Sequence, residues 1–396
     1  MKTTHLLTAI AFAAAASTAQ AATIDFSGYM RAGTGVNLRG GTQVCFGLPG
    51  ADTKWRLGNE CDYVIEPNFV AKLAEYEGSD WFVHFMPSVY RAWGQVENGT
   101  DELNARFNQV YAYGNKISGL ANGRVWAGRR FYNRLQTGIN DQFLEINDGD
   151  GAGLEDMEVG PGKLSVAFMM NGRGAANNNR FALPIRMTGI PTLPNGTLSV
   201  YLTPSAQLKS RDQTTQIDPV KQPKGIALGL YQTLEAFGGN TLLGFRHDKQ
   251  GDVKNTRVVL QHGRALTKST SLDFLTEYRV NEQPNNAGNK WFAIGARTDT
   301  HISGPFRFLV EVGHDQVKPD AGDTRNMTKI TLAGAVSAGK EAYSRPTIRL
   351  FLTHAIWNEA ARQVLGQNWV NGERLQQVYG DKKAGTSVGI QAETWW

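Results

Sequence analysis

Apolar and polar residues change places one by one along much of this chain. That is the period of a β-strand, whose side chains point to opposite faces in turn. Ile24, Phe26, Gly28 and Met30 oppose Asp25, Ser27, Tyr29 and Arg31. Tyr63, Ile65 and Phe69 oppose Asp62, Val64, Glu66 and Asn68. Leu272, Phe274, Thr276, Tyr278 and Val280 oppose Asp273, Leu275, Glu277 and Arg279. Phe306, Phe308, Val310 and Val312 oppose Arg307, Leu309, Glu311 and Asp315, and Ile348, Leu350 and Leu352 oppose Arg349, Phe351 and Thr353. In the last ten residues Val388, Ile390, Ala392 and Trp396 oppose Gly389, Gln391, Glu393 and Trp395. Soluble antiparallel sheets alternate too. Here the polar face repeatedly carries both arginine and carboxylate, and the apolar face is rich in aromatics. That combination suits a water-filled lumen behind a lipid-facing wall with aromatic girdles.

Turn signals separate these stretches: Asn98-Gly99, Asn171-Gly172, Pro194-Asn195-Gly196, Gly238-Gly239-Asn240, Gly251-Asp252 and Asp320-Ala321-Gly322-Asp323. A spanning strand with its connection takes about 20 residues, which predicts roughly 16–18 strands. Barrels that wide keep an open channel. Helical periodicity is weak. The best amphipathic stretch, Asn358 to Val364, is short and falls where a surface loop is expected.

Composition narrows the picture. Residues 1–21 read as a secretory signal peptide, with Lys2, an apolar run from Leu6 to Ala16, and Ala19-Gln20-Ala21 as the cleavage site. The run is too short to span a bilayer. Residues 22–396 are then one barrel domain, undivided by any Pro/Ser-rich linker. Removing Lys2 leaves 40 basic against 36 acidic residues, a net charge of +4. Nucleic-acid binders show a dense basic face instead. No later apolar run reaches the ~18 residues of a membrane helix, so a spanning role requires a barrel. Glycine, at 44 of 396 residues, fits many turns and few helices.

Cys45 and Cys61 are the two cysteines. In an exported protein they are expected to form a disulfide. A two-ligand metal site would need a nearby histidine or a second cysteine pair. The histidines do not pair at metal spacing. Gly33-Thr34-Gly35 lacks the third glycine of a dinucleotide loop, and no Gly-x-Ser-x-Gly elbow occurs. No cofactor is implied. Carboxylates are plentiful, so counting does not exclude a glycosidase pair, yet nothing marks any two as partners.

Charged and aromatic groups on the expected inner face are the chemistry that stands out. Arg31, Arg56, Glu66, Arg106, Arg134 and Asp141 lie in the first third of the chain. Tyr29, Phe143 and Trp395 are aromatics of the same face. A pyranose has an apolar face of C–H groups and a rim of hydroxyls. Rings take the face, while arginine and carboxylate hydrogen-bond the rim. Many weak contacts let a solute enter and leave, as conduction requires. The bland alternative is that these charges only solvate a general pore.

The chain resembles the maltoporin family of outer-membrane sugar channels over most of residues 22–396. The resemblance is densest at Asp25-Phe26-Ser27-Gly28-Tyr29-Met30-Arg31, at Cys45-Phe46 with Trp55-Arg56-Leu57-Gly58-Asn59-Glu60-Cys61, and at Val125-Trp126-Ala127-Gly128-Arg129-Arg130-Phe131-Tyr132. It continues at Gly151-Ala152-Gly153-Leu154-Glu155, Tyr343-Ser344-Arg345-Pro346 and Trp395-Trp396. It implies an all-β, transmembrane antiparallel β-barrel of about 18 strands, homotrimeric, with an inward-folded constriction loop. It also implies passive passage of maltose and maltodextrins through the bacterial outer membrane. Tyr29 and Trp395 match the family's aromatic track. Tyr343 stands where the family has tryptophan, and Phe143 replaces the constriction tyrosine. Arg31, Arg56, Glu66, Arg106, Arg134 and Asp141 match its polar track.

Some positions depart from the family pattern. The track ring near the second cysteine falls on Val64, the ring contributed by a neighbouring subunit falls near Glu97 with Trp93 a loose substitute, and the mid-chain phenylalanine falls near Thr241. These losses weaken the expectation for long maltodextrins. A porin for another saccharide or a general porin is the nearest alternative. A secreted glycan-acting enzyme or a lectin is the rival from another class.

Overall fold

The alternating stretches become strands. The structure is a computed structural model and describes residues 23–92, 105–170, 180–207, 224–364 and 378–396. The first strands are β1 (Thr23–Asn37), β2 (Asp62–Tyr76), β3 (Ser79–Ala92), β4 (Ala105–Ile117), β5 (Gly123–Arg130) and β6 (Gly149–Val159). They are followed by β7 (Gly162–Met170), β8 (Arg180–Ala182 with Ile185–Leu193), β9 (Gly196–Gln207), β10 (Gly225–Ala236), β11 (Gly239–Gln250) and β12 (Val253–Ala265). The chain ends with β13 (Thr270–Glu282), β14 (Asn289–Ser303), β15 (Phe306–Pro319), β16 (Arg325–Ser337), β17 (Thr347–Trp357) and β18 (Ala384–Trp395). Each pairs antiparallel with its sequence neighbours, and β1 pairs with β18, so the sheet closes as an 18-stranded barrel. Closure leaves no unpaired edge, which a lipid environment requires.

Burial is inverted relative to a soluble protein. On β15 and β17, Phe306, Phe308, Val312, Ile348, Leu350, Leu352 and Ile356 point outward and are exposed. On the other face of β15–β18, Glu311, Lys329, Thr331, Arg349, Thr353, Ser387, Gln391 and Glu393 are buried. The apolar face meets lipid, and the polar face meets other polar groups inside. The outward rings of Trp396, Phe26, Phe69, Phe85 and Phe107 run side by side across β18 and β1–β4, with centroids 5.1–6.3 Å apart. Trp396 therefore faces lipid.

Two loops fold inward where one was expected. The first, residues 38–61, carries the Cys45–Cys61 disulfide, with Cα atoms 6.0 Å apart. It is no surface loop. The Trp55 indole N–H donates to Asp315 at 3.0 Å, and the Leu57 amide donates to Glu311 at 3.0 Å. Lys329 and Thr331 donate to the Leu57 carbonyl at 2.9 and 3.0 Å. Gly295 and Gly313 sit opposite each other on β14 and β15 beneath the Trp55 ring. A Cβ would fall 2.5 Å from that ring at Gly295 and 2.2 Å at Gly313. Glycine there permits the close approach.

The second loop, residues 131–148, folds back as a short hairpin of Leu135–Gln136 against Phe143–Glu145. Glu145 accepts from Tyr231 at 2.9 Å and pairs with Arg246. The loops meet where the Arg56 amide donates to the Ile139 carbonyl at 3.1 Å. Together they pack against the inner wall, with contacts to β10 and β11, to β12 and β13, and to β15 through β18.

The helix expected from Asn358 is one turn, Glu359–Arg362, with Asn358 as its N-cap. The signal peptide, the turns Asn98-Gly99 and Asn171-Gly172, and the positions Trp93 and Glu97 lie outside the described residues.

Candidate functional site

Strand register gathers the candidate residues of the wall into rows. Trp395 on β18 pairs with Tyr29 on β1, and Tyr29 pairs with Glu66 on β2. The Ser88 hydroxyl on β3 donates to Glu66 at 3.3 Å, and Ser88 pairs with Arg106 on β4. Trp395, Tyr29, Glu66, Ser88 and Arg106 thus form one lateral row of inward side chains. The neighbouring row is Glu393, Arg31, Val64 and Tyr90, again by direct pairing. Strands of such barrels tilt by about 35–45°, so a row running across strands also descends along the pore.

Charge is dense between the rows. Arg31 donates to Glu60 at 2.7 Å and to Asp62 at 2.6 Å. The Tyr29 hydroxyl donates to Glu393 at 2.9 Å and accepts from Arg31 at 3.0 Å. Glu393 also pairs with Arg345 at 3.2 Å, with Arg56 at 3.6 Å, and with Arg349. Arg56 comes from the first inward loop. It pairs with Glu60 at 2.9 Å and reaches Asp141 of the second loop at 3.8 Å. Burial alone would raise the Glu60 carboxyl, but Arg56 and Arg31 outweigh it and hold it below the usual carboxylate range. Burial pushes Asp141 above that range, and Arg56 only partly offsets it. Asp141 lies deep in the barrel, yet over a third of its side chain stays open to the channel.

The second loop supplies the other candidates. Arg134 is held by Asp148, with its guanidinium 3.2 Å from the Phe131 ring centroid and 4.9 Å from that of Phe143. At the opposite mouth, residues 338–346 carry Tyr343, whose hydroxyl donates to Asp273. Arg345 lies 4.0 Å from the Trp395 ring centroid and 5.9 Å from that of Tyr343. Trp395 remains 43% exposed and Tyr343 42%. Both rings offer a free surface to the lumen.

Of the candidates, Tyr29, Arg31, Arg56, Asp141, Tyr343 and Trp395 join one network through Glu393, Glu60 and Arg345. Glu66 and Arg106 continue it along the wall. Arg134 and Phe143 form a separate patch on the second loop. Three departures from the family pattern resolve differently. Val64 faces inward. Thr241 does not: Leu243 and Phe245 on the same strand are exposed outward, and the Thr241 hydroxyl hydrogen-bonds His262 at 2.9 Å. Leu242 is the inward neighbour and packs against the core around the loops. The position near Glu97 is outside the described residues.

Sequence reasoning missed Tyr90, Arg345, Arg349 and Glu60. Arg345 stood inside a quoted motif without a role. Tyr90 becomes visible only when β3 is registered against β2.

The family model for the LamB porin matches residues 24–396. Similar solved structures include Acinetobacter baumannii OccAB1, with 8% identity, a TM-score of 0.53, and coverage of 94% of this chain and 96% of that one. Pseudomonas aeruginosa OccD3 (OpdP) has 10% identity and a TM-score of 0.51, with 95% and 93% covered. Pseudomonas aeruginosa OccK10 (OpdN) has 10% identity and a TM-score of 0.51, with 94% and 98% covered. At these identities the likeness concerns the fold alone, a closed antiparallel β-barrel.

Proposed function

The chain belongs to the LamB porin family, and from that premise we propose that it is a passive, sugar-selective channel for maltose and maltodextrins, assembled as a homotrimer. One observation carries the reading. The half-exposed ring of Trp395 stands in register with Tyr29, next to a dense cluster of ion-paired arginines and carboxylates. The ring offers an apolar platform for the C–H face of a pyranose. Arg345 and Arg56 offer directed groups for its hydroxyl rim, and the buried Glu393 holds both. Arg345 covers one face of Trp395, which leaves the other for the sugar.

Pairing also explains why such a lumen would favour neutral solutes. The charges of this cluster are already neutralised by ion-pair partners, so an ion gains little by binding. A hydroxyl, by contrast, can exchange into an existing hydrogen-bond network one contact at a time.

The test is titration of single-trimer current in planar bilayers with maltose, maltotriose, sucrose and cellobiose. Maltose and maltotriose are expected to block the current at lower concentration than the other two. Equal block by all four would make it a general saccharide porin. No block by any would remove the sugar reading. Heat-sensitive migration in detergent gels tests the trimer.

A further inference from the structure

Val64 leaves a gap in the aromatic track, and the register shows what stands across from it. Val64 pairs directly with Tyr90 on β3. Val64 also pairs with Arg31, which faces the lumen, so Tyr90 faces the lumen as well. Its side chain is half exposed, while Met86 and Ser88, inward on the same strand, are buried. Asp62, which Arg31 holds at 2.6 Å, neighbours Tyr90 across the strand pair, because Asp62 precedes Val64 by two residues on the same face. Arg106 lies diagonally beside it, because Ser88, two residues earlier on β3, pairs with Arg106. Arg106 is exposed to the lumen.

We infer that Tyr90 is a sugar-stacking ring that takes over, from the neighbouring strand, the place left by Val64, and that Tyr90, Asp62 and Arg106 form a second pyranose-binding station. The inference rests on the sugar-channel reading above. A short valine opposite leaves the Tyr90 ring face uncovered. Asp62 on the one side and Arg106 on the other flank the ring and offer polar groups for the sugar rim. The station is separated from Tyr29 by two strand spacings and one residue pair, about 12 Å between backbones. That exceeds a single sugar ring. A monosaccharide occupies one station at a time, and only an oligosaccharide spans both.

The experiment is current block of the full-length trimer by glucose, maltose and maltohexaose, in wild type, Tyr90→Ala, Tyr90→Phe, and Tyr90→Ala combined with Val64→Tyr. Tyr90→Ala is expected to weaken block by maltohexaose about three- to tenfold, the scale of one aromatic contact. Block by maltose should change less. Tyr90→Phe keeps the ring and most of the block. Val64→Tyr in the Tyr90→Ala background restores it, since the ring returns to the same row. Heat-sensitive trimer migration on detergent gels shows that each variant folds and assembles. If wild type is blocked by maltohexaose and Tyr90→Ala is blocked equally, Tyr90 is not a station. If wild type is blocked by no sugar, the channel reading itself fails.

Discussion

Trp395 and Arg345 share one contact, and that sets what a mutation at either can report. Trp395→Ala removes a ring that is in register with Tyr29 and stacked by Arg345. The expected outcome is block by maltotriose weakened about three- to tenfold, with open conductance little changed. Full block in the variant would take Trp395 off the track. Asp141 makes a second residue-scale prediction. Its carboxyl is raised by burial, while that of Glu60 is lowered by Arg56 and Arg31. On acidification Asp141 therefore protonates first, above its ordinary value of 3.8, and Glu60 keeps its charge. One lumen anion is lost, so reversal potentials in a salt gradient should move toward anion selectivity in that step. Asp141→Asn should abolish the step. A wild-type profile flat between about pH 7 and about pH 4 would show that Asp141 does not face the ion path. Tyr343 and Asp141 both hold a positive φ, 65° and 57°. Such backbones persist only where surrounding contacts over-determine them.

At the scale of elements, the first inward loop is a plug held by its own anchors. Trp55 occupies the hollow above Gly295 and Gly313 and is tied to Asp315. Gly313→Leu drives a side chain into that ring, at a cost of about 1–3 kcal/mol. The expected result is higher single-channel conductance from a displaced plug, with the heat stability of the barrel retained. Conductance equal to wild type would mean that the loop does not limit the pore. Reduction of Cys45–Cys61 acts on the same element. It loosens the plug and adds open-channel noise, because the ladder hydrogen bonds of the strands lie elsewhere.

For the whole molecule, the deciding contrast is between two adjacent residues. Arg349 points inward, paired with Glu393, and Leu350 points outward at 62% exposure. Leu350→Arg places a guanidinium in hydrocarbon and should destabilise the membrane-inserted barrel by about 2–4 kcal/mol. A lower denaturant midpoint for the variant refolded into lipid vesicles checks this. An unchanged midpoint would contradict the assignment of that face to lipid. The same sidedness explains why a chain with 19% charged residues can still span a membrane. Many of the charges pair with neighbours along the inner wall and with the inward loops, and the strand period puts them on that face.

The sequence by itself determined the architecture, because period-two alternation is a local property and closure follows from the need to pair every strand edge in lipid. The opposing residues named on β1, β13, β15, β17 and β18 take the faces that alternation assigned them. It also marked Tyr29, Arg31, Arg56, Glu66, Arg106, Arg134, Asp141, Phe143, Tyr343 and Trp395, since inner-face position and residue type are both local or carried by family resemblance. Only the tertiary structure decided what depends on register between strands distant in sequence. It turned Thr241 to the lipid side, set Tyr90 across from Val64, and laid Arg345 on Trp395. It also made the cysteine loop a second plug. No local pattern announces that outcome, because the hollow that receives Trp55 is built from β14 and β15, more than two hundred residues further along the chain.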